Sequence, residues 1–318
     1  MSDLADKVLR GDVLATARLI RDLDDGIDGA IAELKVLYPQ TGKAEVIGVT
    51  GAPGVGKSTL VSRMIENFRA RGKKVGVIAV DPTSPFSGGA VLGDRIRMQN
   101  HFNDPGVFIR SMATRGHLGG LSSSAYEIIK VLDAFGSEVI LVETVGVGQD
   151  EVEIAGAAQT TVVVLTPGMG DEIQNLKAGI LEIADVLVVN KADREGAQVT
   201  VQGLRRLLEM GGFDRKGWHP PICLTVGTDG TGIPDLIKAV DQHREFWNRQ
   251  KAQPGFEHKR REEDFLRILQ GQAVNKLIVS LRRNGYLEEI VARITRGESD
   301  PYSESEKVLK LGDYARNE

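Results

Sequence analysis

The sequence predicts an α/β fold: a P-loop NTPase domain with a mostly parallel sheet flanked by helices, and further helices at both ends. Three observations predict it. Apolar β-type runs alternate with helical patterns from Ala44 to about Ile233. The first run passes directly into a Gly-rich loop and then into a helix. Several later runs are apolar throughout rather than alternating, as expected of strands covered on both faces. In such sheets ligands gather beyond the carboxyl ends of the strands, so the residues just after each run carry the functional reading.

The first run, Val46–Thr50, leads into Gly51-Ala52-Pro53-Gly54-Val55-Gly56-Lys57-Ser58-Thr59, which fits G-x-x-x-x-G-K-[ST]. Glycines let successive backbone N–H groups line a concave nest around phosphate oxygens. The helix that follows points its positive end at the same anion. Lys57 is placed to reach the β- and γ-phosphates, and the Ser58 hydroxyl to ligate Mg²⁺. The chain is expected to bind a nucleoside triphosphate.

Composition narrows the classes. At 318 residues, 41% hydrophobic and 26% charged, the chain reads as an ordinary globular protein with one large α/β domain and smaller elements. A net charge of −4 gives no electrostatic case for nucleic acid or an anionic membrane as partner. No apolar run approaches the length of a membrane span, and no leader pattern opens the sequence, so a cytoplasmic protein is expected. The single cysteine, Cys223, lies in an apolar run and is read as a buried structural thiol.

Residues 1–43 read as a helical extension: Val8, Leu9, Val13, Leu14, Ala17, Ile20 and Leu23 recur at helical spacing, and a second helix is expected over about Ile27 to Leu37. Residues 44–250 form the nucleotide-binding domain. Its β-type runs are Val46–Thr50, Val75–Val80, Val107–Arg110, Val139–Val142, Thr161–Leu165, Val186–Val189 and Ile222–Val226. Asp81, after the second run, is placed to hold Mg²⁺ or its water, to orient the attacking water, or simply to make an Asx turn before Pro82. Asp94 could join the metal shell or cap a helix. Arg115 and His117, after the third run, could face phosphates, a partner or solvent.

The fourth run ends in Glu143, the Walker-B arrangement that holds Mg²⁺ through water, and Gly146 follows where a backbone N–H can meet a γ-phosphate. After the fifth run, Asp171, Gln174 and Lys177 lie in a Gly-rich loop opening a helix, as cap chemistry or as a third mobile element. The sixth run ends in Asn190-Lys191-Ala192-Asp193, an N-K-x-D match. The Asp193 carboxylate can accept two hydrogen bonds from the N1–H and exocyclic amine of guanine, which adenine cannot offer. Thr225, Val226 and Gly227, after the seventh run, are placed like a backbone loop closing over the base. GTP with Mg²⁺ is the expected ligand. Residues 251–318 read as a helical arm, with Phe265, Ile268, Leu269, Leu277, Ile278 and Leu281 forming an apolar stripe that packs back or pairs with another copy.

With these residues assembled, the chain resembles the MeaB/ArgK family, the GTPases associated with methylmalonyl-CoA mutase. The resemblance rests on GAPGVGKST, VDPTSP, GDRIRM, MATRGHLGGL, ETVGVGQ, TPGMGDEIQ and NKAD in this order, and on the helical extensions. It implies a GTP-hydrolysing chaperone that gates loading, protection and reactivation of an adenosylcobalamin-dependent acyl-CoA mutase. It implies a homodimer formed through the C-terminal arm, and no cobalamin site assignable to this chain itself. It also implies that Asp81, Asp94 and Glu143 serve magnesium and catalysis together with Lys57, and that Asp171, Gln174 and Lys177 couple the nucleotide to the mutase. No in-cis arginine finger can be assigned, so hydrolysis is expected to be slow without the partner. The alternatives are a metallochaperone GTPase, disfavoured by one cysteine and five scattered histidines, a nucleotide-regulated adaptor for another client, and a protein kinase, disfavoured by the guanine-type motif.

Overall fold

The computed structural model describes residues 3–81, 98–113, 123–144, 150–168, 182–210 and 217–314. The chain divides into two compact units, Met1–Ala252 and Gln253–Glu318.

The first unit is built on seven strands, β1 (Glu45–Thr50), β2 (Val75–Asp81), β3 (Val107–Ala113), β4 (Val139–Glu143), β5 (Thr160–Leu165), β6 (Val186–Asn190) and β7 (Ile222–Thr225). They form one parallel sheet in the order β3-β2-β4-β1-β5-β6-β7. The central strands are rich in Val and Ile and buried at every residue, because helices cover both faces. One face carries Ile47, Val49, Val162, Val164, Val186 and Val188 against α4 (Lys57–Ala70) and α8 (Ile233–Lys251). The alternate residues Val46, Ile78, Val80, Ile140 and Val142 face α5 (Ser123–Phe135) and α6 (Asp150–Ala157). Val163, Leu165, Leu187 and Val189 continue that face under α7 (Ala197–Met210).

The N-terminal helices α1 (Asp3–Leu9), α2 (Val13–Asp24) and α3 (Ala30–Leu37) pack outside α5 in the same core cluster, with Val8, Leu19, Ile20 and Leu37 fully buried. Their entry into β1 is pinned by Asp133 on α5, which accepts the backbone N–H groups of Gly42, Lys43 and Ala44. The early apolar periodicity does not make one continuous helix. Gly11-Asp12 breaks it, and the Asp12 carboxylate caps α2 by accepting from Ala15 N at 2.9 Å. Val13 and Leu14 therefore stand 54% and 82% exposed rather than on the buried stripe. The second helix starts at Ala30 rather than Ile27, and the seventh strand stops at Thr225, with Val226 making an isolated antiparallel bridge to Thr231. Cys223 is buried, and burial pushes its thiol up to about 11, which keeps it protonated. Among the described residues no helix is long and apolar enough to cross a membrane.

The second unit contains α9 (Phe256–Arg283), α10 (Tyr286–Thr295) and α11 (Pro301–Tyr314). The 28-residue α9 buries none of its residues, and Phe265, Leu269, Val274 and Val279 are exposed along it. An ionic contact links α10 to α11, with Arg293 Nη2 donating to Glu304 Oε2 at 2.6 Å, and within α11 Lys307 Nζ donates to Glu304 Oε1 at 3.0 Å. The Arg293 hydrogen bond, helped by Ser299 and Lys307, pulls the Glu304 carboxyl down to about 2.

Because the folded carboxyl is more acidic than the unfolded one, its contribution to stability is complete above about pH 4.5 and is lost as pH falls toward 2. Glu304→Gln should melt below the wild type at pH 7, with the gap in Tm closing through that window. A gap that stayed constant down to pH 3 would contradict the assignment.

Candidate nucleotide site

The site is built where β1 ends at the centre of the sheet. Gly51 leaves the strand with φ of 140°, and a Cβ there would lie 2.1 Å from the Val164 carbonyl oxygen of neighbouring β5. Only glycine fits that approach. At the far end of the loop Gly56 has φ of 98°, and a Cβ would sit 2.4 Å from Asn190 Nδ2. Between them Pro53 and Gly54 are exposed, while Val55 turns into the core beneath α4. Lys57 and Ser58 open α4 and are both buried, so the loop's charge and hydroxyl lie at the helix N-terminus. Lys57 Nζ donates to the carbonyls of Gly51 at 2.7 Å and Ala52 at 3.1 Å.

The end of β4 lies beside this loop. Ser58 Oγ donates to Glu143 Oε1 at 2.6 Å, joining the first turn of α4 to a carboxylate that is 3% exposed. Beneath them Thr144 Oγ1 donates to Thr50 Oγ1 at 2.8 Å, and Thr144 N extends the ladder to Val49 O at 3.1 Å. The last residue of β2, Asp81, ends its strand two residues beyond Ala79, which is in register with Glu143, so its backbone reaches the same edge of the sheet. A hydroxyl and a buried carboxylate at 2.6 Å are hard oxygen donors, the set that suits Mg²⁺ rather than a soft metal.

On the other side, the sequence motif after β6 is drawn into contact with the loop. Asn190 Nδ2 donates to Val55 O at 2.8 Å. Its Oδ1 accepts from Thr225 Oγ1 and from Gly227 N, both at 3.1 Å. Lys191, at φ of 57°, sends Nζ to Gly54 O at 2.7 Å. Ala192 N bonds Thr225 O at 3.0 Å, which places the N-K-x-D segment beside the turn that follows β7. Thr225 is fully buried and uses its hydroxyl on Asn190, while Val226 is half-buried. The Thr59 methyl would meet a Cβ at Gly227 at 3.2 Å. Asp193, three residues on from Asn190, is exposed.

The structure thus brings together the loop of Gly51–Thr59, Glu143, Asn190, Lys191, Asp193 and Thr225–Gly227. The expected roles of Asp94, Arg115, His117, Gly146, Asp171, Gln174 and Lys177 fall on residues outside those described, as does the side chain of Asp81. Three contributors were not singled out from the sequence. Thr50 and Thr144 look like ordinary strand threonines until their hydroxyls are seen to meet. Arg63 sits in the polar pattern of α4 with no local signal, yet its Nε donates to Gly227 O at 3.1 Å.

This strand order, loop and pair of acidic and N-K-x-D segments define a P-loop nucleotide-binding protein of the GTPase kind. The chain belongs to the MeaB family: the family model described as methylmalonyl Co-A mutase-associated GTPase MeaB matches residues 25–285. A Pyrococcus abyssi protein carrying a GTPase name is 48% identical, over 98% of this chain and 96% of that one. The Caenorhabditis elegans protein named methylmalonic aciduria type A homolog, mitochondrial, is 34% identical over 64% of this chain and 51% of its own length. A crystal structure described as LAO/AO transport system kinase shares the fold, with a TM-score of 0.70 at 21% identity, covering 98% of this chain and 97% of that one.

Asn190→Ala should lower the unfolding free energy by about 2–4 kcal/mol, because Val55 O and Gly227 N lose a buried partner together. Denaturant titration of the full chain measures it, and an unchanged midpoint would show that the clasp adds nothing to stability.

Proposed function

We propose that this chain binds GTP with Mg²⁺, hydrolyses it to GDP and phosphate, and uses that cycle to gate adenosylcobalamin loading, protection and reactivation of an acyl-CoA mutase of the methylmalonyl-CoA mutase type. The observation that carries the nucleotide part is the Asn190 clasp, which fixes the phosphate loop and the N-K-x-D segment as one site. The client rests on the family's description and on the name of the C. elegans relative.

In this reading Gly51–Thr59 enclose the phosphates, and the Lys57 ammonium exchanges the carbonyls of Gly51 and Ala52 for phosphate oxygens. Ser58 and Glu143 hold magnesium, with Asp81 and Asp94 serving it or the attacking water; when bound, the ion neutralises charge on the transferring phosphoryl group. Asp193 reads the guanine edge, and Thr225, Val226 and Gly227 close over the base. Gly146 reports the γ-phosphate, while Asp171, Gln174 and Lys177 pass the nucleotide state to the client. The exposed apolar residues of α9 suit pairing with a second copy, giving a homodimer through residues 251–318.

The deciding experiment is GTP turnover with and without a purified adenosylcobalamin-dependent mutase from the same source, at matched Mg²⁺. Slow turnover that the mutase accelerates is the expected result. Hydrolysis without acceleration would point to another client, and no hydrolysis in either case would reject the enzyme. Asp193→Asn should move preference from guanosine to xanthosine triphosphate, because an amide can donate where the carboxylate could only accept. A variant that kept its preference for GTP would show that Asp193 does not read the base.

A further inference from the structure

The turn after β7 is held from both sides. Asn190 Oδ1 accepts the Gly227 N–H at 3.1 Å, and Arg63 on α4 takes the carbonyl of the same residue, with Nε donating to Gly227 O at 3.1 Å. The same guanidinium sends Nη2 to Thr228 O. Its remaining Nη1 donates to Glu66 Oε2 at 2.9 Å, one turn further along α4, which orients the planar fork toward the two carbonyls. The turn is closed on itself by Val226 N to Thr231 O and Gly230 N to Val226 O, both at 2.9 Å. With so short and so closed a turn, fixing Gly227 and Thr228 fixes the whole of it. The helix that supplies the clamp is the one that begins with Lys57 and Ser58.

We propose that Arg63 is a positioning residue for guanine selection: it ties the base-side turn Thr225–Thr228 rigidly to the phosphate-side helix. The inference rests on the GTP reading above. One rigid rod then holds both ends of the nucleotide, and the backbone of the turn is set before the base arrives. A preset turn loses no conformational freedom on binding, so the gain goes to a base whose edge matches it. Arg63 is suited to this because its guanidinium offers several N–H groups in one rigid plane, which fixes the two carbonyls relative to each other; a lysine ammonium is a point charge on a flexible stem and would set their placement less firmly. Glu66 supports the arginine without touching the turn.

The test is titration calorimetry of the full chain and its variants with GDP and with ADP, which share the phosphates and differ in the base. Wild type should hold GDP far more tightly than ADP. Arg63→Ala should weaken GDP about tenfold, the equivalent of one charge-assisted hydrogen bond, while leaving ADP nearly unchanged. Arg63→Lys should recover part of the loss. Glu66→Ala, which leaves the turn's own contacts in place, should weaken GDP by a smaller factor in the same direction. If GDP and ADP weaken together in Arg63→Ala, or if GDP is unaffected, the role of Arg63 is overturned. A wild-type chain that bound GDP no better than ADP would overturn the guanine reading itself, and this inference with it.

Discussion

The side chain of Asn190 is the contact on which the rest of the site depends. It stands at the end of β6, two strands from β1, and is 2% exposed. Its amide must reach across the end of β5 to the phosphate loop while its carbonyl reaches the other way, to the turn after β7. Only a group with a donor and an acceptor on one rigid plane can do both, and asparagine has the reach. Aspartate would set a carboxylate against the Val55 carbonyl; leucine would leave two buried backbone groups without partners, at roughly 1–3 kcal/mol each. The glycine at 56 follows from the same contact, since any side chain there would collide with the Asn190 amide.

The sheet makes such a contact possible. Its middle strands are buried on both faces, so they are stiff and their carboxyl ends are fixed relative to one another. At those ends buried polar groups are tied to one another. Thr50 holds Thr144, Ser58 holds Glu143, and Asn190 holds Thr225. In a setting of low dielectric a satisfied polar network specifies one arrangement, and a half-satisfied one would cost more than an apolar core. The phosphate loop is therefore positioned by its neighbours as much as by its own glycines.

Much of this was legible in the residues. The P-loop and the acid at Glu143 announce themselves because phosphate chemistry demands particular types at particular spacings, and β1, β4, β5 and β6 because Val- and Ile-rich runs of that length fit a doubly covered sheet. The Gly11-Asp12 break was harder to see, since helical periodicity runs on through it and only the Asp12 cap marks the restart. The surface position of Asp193 was not legible either; burial is a property of what packs around a residue, not of the motif that contains it. Nor was Arg63, whose three partners lie on its own helix and on a turn more than 160 positions later in the chain. Long-range pairing of a common surface residue type leaves no local trace.

The ground state of Lys57 bears on how such a site would work. Its ammonium lies buried against the carbonyls of Gly51 and Ala52, so a phosphate must replace contacts that already exist. Binding energy at this residue is a difference between two sets of partners, and the difference grows only as negative charge accumulates on the ligand. On the proposed function this favours the more highly charged nucleotide and the charge-rich transition state over the product. By linkage, a client that binds the triphosphate form more tightly must raise the affinity for triphosphate by the same factor. It can do so only by shifting groups that differ between the two forms. On the proposed function Arg63 holds the base side, which is common to both forms, so the coupling runs through the groups that meet the γ-phosphate at the β1, β2 and β4 ends and on through Asp171, Gln174 and Lys177 after β5.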